Sequence, residues 1–177
     1  MPHSFLVFIV FLSGIILTAV PFSIVLIRQR KKTKKDSLTG LPDYRSFELQ
    51  LIKSIRCLEK KNHPFGVVLM DVDDFHQYNK TGYEKGDEVL KNFAAALFQN
   101  FSDIAFCARF RMGDEFVLLF DPAEENEIVK RLEEKKSNVN YTYSLIVFDK
   151  PKLSSDAAIK QLQQLLFENK HMKRKID

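Results

Sequence analysis

The sequence is poor in cysteine: Cys57 and Cys107 are the only two in 177 residues, and their separation matches no metal-ligand spacing. That excludes a thiolate metal site and leaves two reduced thiols in or near a core, in a reducing compartment. No internal repeat or low-complexity tract breaks the chain. An excess of positive charge is also missing where it would count. Of 27 basic residues, six lie together between Arg28 and Lys35, and the remaining 21 face 23 acidic ones, so residues 36–177 carry about −2. The overall net charge of +4 therefore lends no support to a nucleic-acid partner. No Lys or Arg precedes the first apolar run, and no small-x-small cleavage site follows it, which argues against a cleaved signal peptide.

What is present begins with that run. Phe5 to Ile27 is 23 residues without a charge. As a helix it would extend about 34 Å, enough to cross a bilayer core of about 30 Å with some tilt. Arg28, Arg30, Lys31, Lys32, Lys34 and Lys35 follow at once, which the positive-inside rule assigns to the cytoplasmic face, where anionic lipid headgroups are their simplest partner. The expected layout is a single-pass transmembrane anchor over residues 1–27, a basic juxtamembrane linker over 28–35 and one cytoplasmic domain over 36–177. A chain of this length has room for one domain and little more.

Within that domain, Asp36 to Pro42 carries turn signals, and Phe47, Leu51, Ile55 and Leu58 share one helical face over about Tyr44 to Lys60. Phe65 to Met70 is a continuous apolar run of strand length that stops at Asp71. Leu90, Phe93, Ala94, Leu97 and Phe101 mark a second amphipathic helix, with Asn79 and Asp87 on the loop and helix start before it. Ile104–Phe110 and Phe116–Phe120 are apolar runs around Arg111-Met112-Gly113-Asp114-Glu115, which reads as a hairpin. Asp121-Pro122-Ala123-Glu124 reads as a capped helix start, Val139 to Phe148 as a strand, and Ser154-Ser155-Asp156 opens a last helix. The helical stripes are core rather than site.

The centre of this order is a β-α-β-β-α-β split unit, hence an α+β fold with a ferredoxin-like palm and an antiparallel sheet. Its first two strands run parallel and the third lies between them in the opposite direction. Asp71 at the end of the first strand must then lie beside Asp114 and Glu115 at the start of the third. Carboxylates so placed repel by roughly 4 kcal/mol per pair at 4 Å in an effective dielectric near 20. A divalent cation offsets that, and hard oxygen ligands with positions open to phosphate suit Mg²⁺; the alternatives are protonation or splaying into solvent. With phosphate ligands such a site implies phosphoryl or nucleotidyl transfer. Asn79 and Asp87 offer an amide and a carboxylate that match a guanine edge, although both are also ordinary turn and cap residues. Lys170, Lys173 and Arg174 match either a triphosphate or a solvated basic helix end.

Asp36-Ser37-Leu38-Thr39-Gly40-Leu41-Pro42, Met70-Asp71-Val72-Asp73-Asp74-Phe75 with Asn79, Gly82, Gly86 and Asp87, and Gly113-Asp114-Glu115-Phe116, with Ser144 and Lys170 more loosely, resemble the GGDEF domain family, the diguanylate cyclases and their degenerate relatives. The resemblance covers about residues 36–177. It implies condensation of two GTP to cyclic di-GMP across a homodimer with Mg²⁺ as cofactor. By position, Asp71, the Val72 carbonyl, Asp114 and Glu115 look like metal ligands, with Asp114 and Glu115 the catalytic pair and Asp114 easing away the hydroxyl proton. Asn79 and Asp87 match guanine contacts, and Phe75, His76, Lys170 and Arg174 phosphate-binding positions.

The departures are as informative. The hairpin has one glycine where the family has two, so either a residue is deleted or Met112 replaces the first Gly. A deletion shortens the reach by about 3.3 Å, and about 1 Å of misplacement can cost about a hundredfold in rate. A left-handed Met112 would instead add roughly 1 to 3 kcal/mol of strain. His76 stands for the usual Lys, Lys80 for Asp, Tyr83 for His and Ile146 for Gly, and Leu165-Leu166-Phe167 only partly resembles the last motif. The upstream Arg-x-x-Asp product-inhibition motif reads Asn100-Phe101-Ser102-Asp103, so no such inhibition is expected. The expected protein is a membrane-anchored GGDEF protein that binds GTP and Mg²⁺, with cyclase activity reduced or lost. The alternative is a non-catalytic module that senses GTP or pairs with another GGDEF protein.

Overall fold

The computed structural model describes residues 34–80, 82–111, 113–134 and 139–176. The expected anchor and most of the basic linker lie outside these. Among the described residues no helix is long and apolar enough to cross a membrane.

The chain enters through a tight turn closed by a bridge between Lys35 and Pro42. Asp36 organises it, its Oδ1 accepting from the Thr39 amide at 2.9 Å and the Thr39 hydroxyl at 2.8 Å. Asp43 then caps helix α1 (Tyr44–Lys61) by accepting from the Ser46 amide, and Asn62 ends it in a left-handed conformation whose N–H returns to the Leu58 carbonyl. Strand β1 (Phe65–Val72) is buried along its whole length. It extends through Asp71, where the apolar run alone predicts a stop.

Asp74, left-handed at φ 52°, turns the chain off β1. A short helix α2 (Phe75–Lys80) follows, so Asn79 sits on a helix rather than in a loop. It buries no residue fully, which is why no apolar stripe announces it. Helix α3 (Tyr83–Phe101) starts earlier than its apolar stripe and buries Val89, Leu90, Phe93, Ala94, Leu97 and Phe101. Strands β2 (Ala105–Phe110) and β3 (Glu115–Phe120) form the hairpin. Asp121 does cap the next turn, but from the Ala123 amide, and that turn is a single 3₁₀ step over Pro122–Glu124 before helix α4 (Glu125–Glu133). Strand β4 (Tyr141–Phe148) and the long helix α5 (Ser155–Ile176) complete the domain.

The four strands form one sheet in the order β2-β3-β1-β4, with every neighbouring pair antiparallel. This is an α+β fold in which β3 lies between β1 and β2, as the split unit requires. Right-handed crossovers place α3 and α4 on one face. There Val68, Met70, Phe116 and Leu118 meet Phe93, Leu97, Ile128 and Leu132. Helices α1 and α5 cover the other face, where Val67, Leu69 and Val117 meet Phe47, Leu51, Leu162 and Leu166. Because strand side chains alternate, burial on both faces is what makes β1 read as an unbroken apolar run.

Candidate active site

Val67 and Leu69 point toward α1 and α5, so by strand alternation Asp71 does too. Its cross-strand partner on β3 is Glu115 and on β4 Thr142. The Val72 amide donates to the Asp114 carbonyl at 3.2 Å, tying the hairpin tip to the end of β1. Asp71 and Glu115 therefore face each other at one end of the two central strands, with Asp114 next to them at the hairpin tip. Burial pushes the Asp71 carboxyl above its usual value, with Asp114 and Asp73 adding to the effect and Lys170 opposing it. Glu115 is raised as well, first by burial and then by Asp71 and Asp114.

Helix α5 supplies the opposing charge. The Lys170 ammonium forms an ion pair with Asp71 Oδ1. That oxygen is buried, and the Lys170 ammonium both hydrogen-bonds to the carboxylate and offsets its charge. Lys173 Nζ donates to Asp73 Oδ2 at 2.6 Å, while Asp73 Oδ1 accepts from the Thr142 hydroxyl at 2.7 Å. The helix is bolted down beside these pairs by Asn169, which donates to the Tyr143 carbonyl at 2.8 Å, and by the Ser144 hydroxyl, which donates to the Leu162 carbonyl at 2.9 Å. A small cleft of about 130 Å³ opens between Asp73, Asp74, Thr142, Lys170, Lys173 and Arg174. Among the described residues no three His, Cys, Asp or Glu side chains stand close enough to hold a metal ion by themselves.

Met112, on which one expectation for the missing glycine rests, lies outside the described residues. Phe110 pairs with Glu115, leaving a four-residue connection in which Arg111, not Gly113, takes the left-handed conformation, at φ 56°. Its guanidinium stacks over the rings of Tyr44 and Phe110, 5.7 and 5.1 Å from their centroids. Arg109, which the motifs did not single out, holds this loop from below. Its Nε and Nη2 donate to the Gly113 carbonyl at 3.0 and 2.8 Å, and its Nη1 to Asp36 Oδ1 at 2.9 Å. Although burial pushes Asp36 up, Arg109 and Thr39 together hold its carboxyl below the usual range.

The guanine candidates lie side by side on α2 and α3. A Cβ on Gly86 would fall 2.1 Å from Asn79 Oδ1, so the amide nests on the helix one residue before the exposed Asp87. Phe75 is half-buried and His76 exposed at the start of α2. Asp103, in the degenerate inhibition motif, is taken by Arg131 Nη1 at 2.8 Å.

The sequence pattern described as "Diguanylate cyclase, GGDEF domain" matches residues 33–147, well over half of the chain. The chain belongs to the GGDEF domain family. The diguanylate cyclase DosC of Escherichia coli is 31% identical over 114 residues, covering 64% of this chain and 25% of DosC. An uncharacterised membrane protein of Staphylococcus aureus is 31% identical over 113 residues, 63% of this chain and 32% of that protein. The chain thus spans about a quarter to a third of the length of these relatives. Among solved structures, the coiled coil and GGDEF domain of DgcB from Caulobacter crescentus, in complex with c-di-GMP, superposes with a TM-score of 0.71 at 20% identity, over 90% of this chain and 92% of that one. That similarity concerns the GGDEF fold itself.

Proposed function

We propose that this GGDEF protein binds GTP with Mg²⁺ at the β1–β3 edge and carries diguanylate cyclase chemistry in reduced or vestigial form. The observation that supports this most is the pairing of Asp71 with Glu115 beside Asp114, with the Asp71 and Glu115 carboxyls both raised by burial and by neighbouring carboxylates. Hard oxygen donors of this kind fit Mg²⁺ when substrate phosphates fill the remaining positions. Asp71, Asp114 and Glu115 would hold it, and when bound it would neutralise charge on the α-phosphate and favour in-line attack by a 3′-hydroxyl. Asp114, half-buried at the hairpin tip, would take the hydroxyl proton. Lys170 and Arg174 line the cleft and would meet the phosphates, and Asn79 with Asp87 would orient guanine.

The backbone of Arg111 is the reason for expecting a slow enzyme. A left-handed non-glycine residue stores roughly 1 to 3 kcal/mol in the loop that carries Asp114. Two GTP condensing head to head need two copies of the domain, so a homodimer, or a pair with another GGDEF protein, belongs to the same reading. The run from Phe5 to Ile27 with its basic flank would hold those copies at the cytoplasmic face of the cell membrane.

Purified protein incubated with GTP and Mg²⁺ and analysed by chromatography tests the reading. Cyclic di-GMP formed by the wild type and abolished by Asp114→Ala supports the enzyme. GTP binding without product supports the sensing module, and absence of both product and GTP binding refutes the site.

A further inference from the structure

We propose that Lys170 and Lys173 are built-in counter-cations of the acidic edge, occupying Asp71 and Asp73 until nucleotide phosphates draw the ammonium groups away and leave the carboxylates to a divalent cation. This inference deepens the function proposed above and rests on it. The two lysines lie one helical turn apart on α5, and the two carboxylates lie two residues apart, Asp71 in the last residues of β1 and Asp73 just past it. The matching contacts are Lys170 with Asp71 Oδ1 and Lys173 with Asp73 Oδ2. Neither lysine is a loose surface chain: their side chains are 29% and 37% exposed, and Asn169 fixes the helix to β4 between Leu166 and the pairs.

The two contacts differ in how easily they give way. Asp73 is held on both oxygens, by Thr142 and Lys173. Asp71 meets Lys170 through one oxygen, Oδ1, so a stronger anion that takes the ammonium has a single contact to displace. That anion has a place to arrive. The cleft bordered by Lys170, Lys173 and Arg174 adjoins the pairs, and a polyphosphate offers several negative charges where Asp71 offers one. Once Lys170 moves to phosphate, Asp71 is left facing Glu115 uncompensated, and its affinity for a divalent cation rises. Metal and nucleotide then promote one another's binding by equal factors.

The test is Mn²⁺ binding to the purified full chain by isothermal titration calorimetry, with and without a non-hydrolysable GTP analogue. Wild type is expected to take Mn²⁺ about tenfold more tightly with the analogue than without it, within the usual range of such coupling. Lys170→Met and Lys170→Gln are expected to bind Mn²⁺ alone about tenfold more tightly than wild type and to lose most of the coupling. Lys173→Gln should shift metal-only affinity in the same direction by less, because Thr142 still holds Asp73. If both Lys170 variants are folded by circular dichroism yet bind Mn²⁺ alone no more tightly than wild type, the counter-cation role is overturned while the metal site stands. If wild type takes no Mn²⁺ even with the analogue present, the function proposed above falls, and this inference with it.

Discussion

Arg109 offers the sharpest test of how the hairpin is held. Its side chain is 7% exposed, and it makes three hydrogen bonds, two to the Gly113 carbonyl and one to Asp36, whose own side chain is 16% exposed. Arg109→Met keeps most of the aliphatic volume and removes all three. Breaking a buried ion pair from one side costs about 3 to 5 kcal/mol, chiefly by stranding the partner. Asp36 keeps its bonds from Thr39, so the lower end, about 3 kcal/mol, is expected. That is a large fraction of a domain's typical stability of about 5 to 15 kcal/mol. With a urea slope of about 2 kcal/mol/M, the midpoint followed by far-ultraviolet circular dichroism should fall by about 1.5 M. Arg109→Lys should recover less than half, because an ammonium cannot reproduce the planar fork. A cycle with Asp36→Asn should show coupling of about 1 kcal/mol or more. Because Asp36 titrates below its usual value of 3.8, its contribution is full above that value and is lost as pH falls through the lower, folded one. The deficit of Arg109→Met should therefore persist at neutral pH and narrow only in strong acid. A midpoint shift under about 0.5 M, or strict additivity with Asp36→Asn, would refute the reasoning.

Three further outcomes are expected. Glu115 is raised by burial and by Asp71 and Asp114, so its charged form weakens the fold; Glu115→Gln should raise Tm by about 2 to 4 °C at neutral pH without metal. That gain should fade as pH drops through the raised value and vanish below the usual 4.5, and calorimetry finding no gain at neutral pH would count against it. Gly66→Ala should cost about 1 to 3 kcal/mol in denaturant titration, since the new Cβ would fall 2.1 Å from the Phe120 ring that covers it. Gly86→Ala should displace the Asn79 amide and weaken a GTP analogue about tenfold, read by calorimetric titration, with little change in Tm because alanine favours the helix.

How much was legible in the sequence follows from which signals are local. The buried stripes of α1 and α3 and the unbroken run of β1 are local patterns, and the encounter of Asp71 with Glu115 follows from strand order alone. Helix α2 buries nothing fully and so leaves no periodicity. The pairs Arg109 with Asp36 and Lys173 with Asp73 join residues 73 and 100 positions apart, and nothing near either lysine or arginine names its partner. A signal for Arg109 did exist: a single charge in the apolar strand Ala105–Phe110 must find a counter-ion somewhere. The left-handed backbone at Arg111 depends on the β2–β3 register, which one glycine could not specify.

The two thiols sit in very different surroundings, and this makes the chain convenient for spectroscopy. Cys107 is buried against the sheet, its pKa pushed up to about 12, whereas Cys57 borders an open cleft with His63 and Phe65. A maleimide fluorophore should therefore attach at one position with no cysteine first removed. It would report from the opposite end of β1, about 20 Å from the carboxylates, without crowding them.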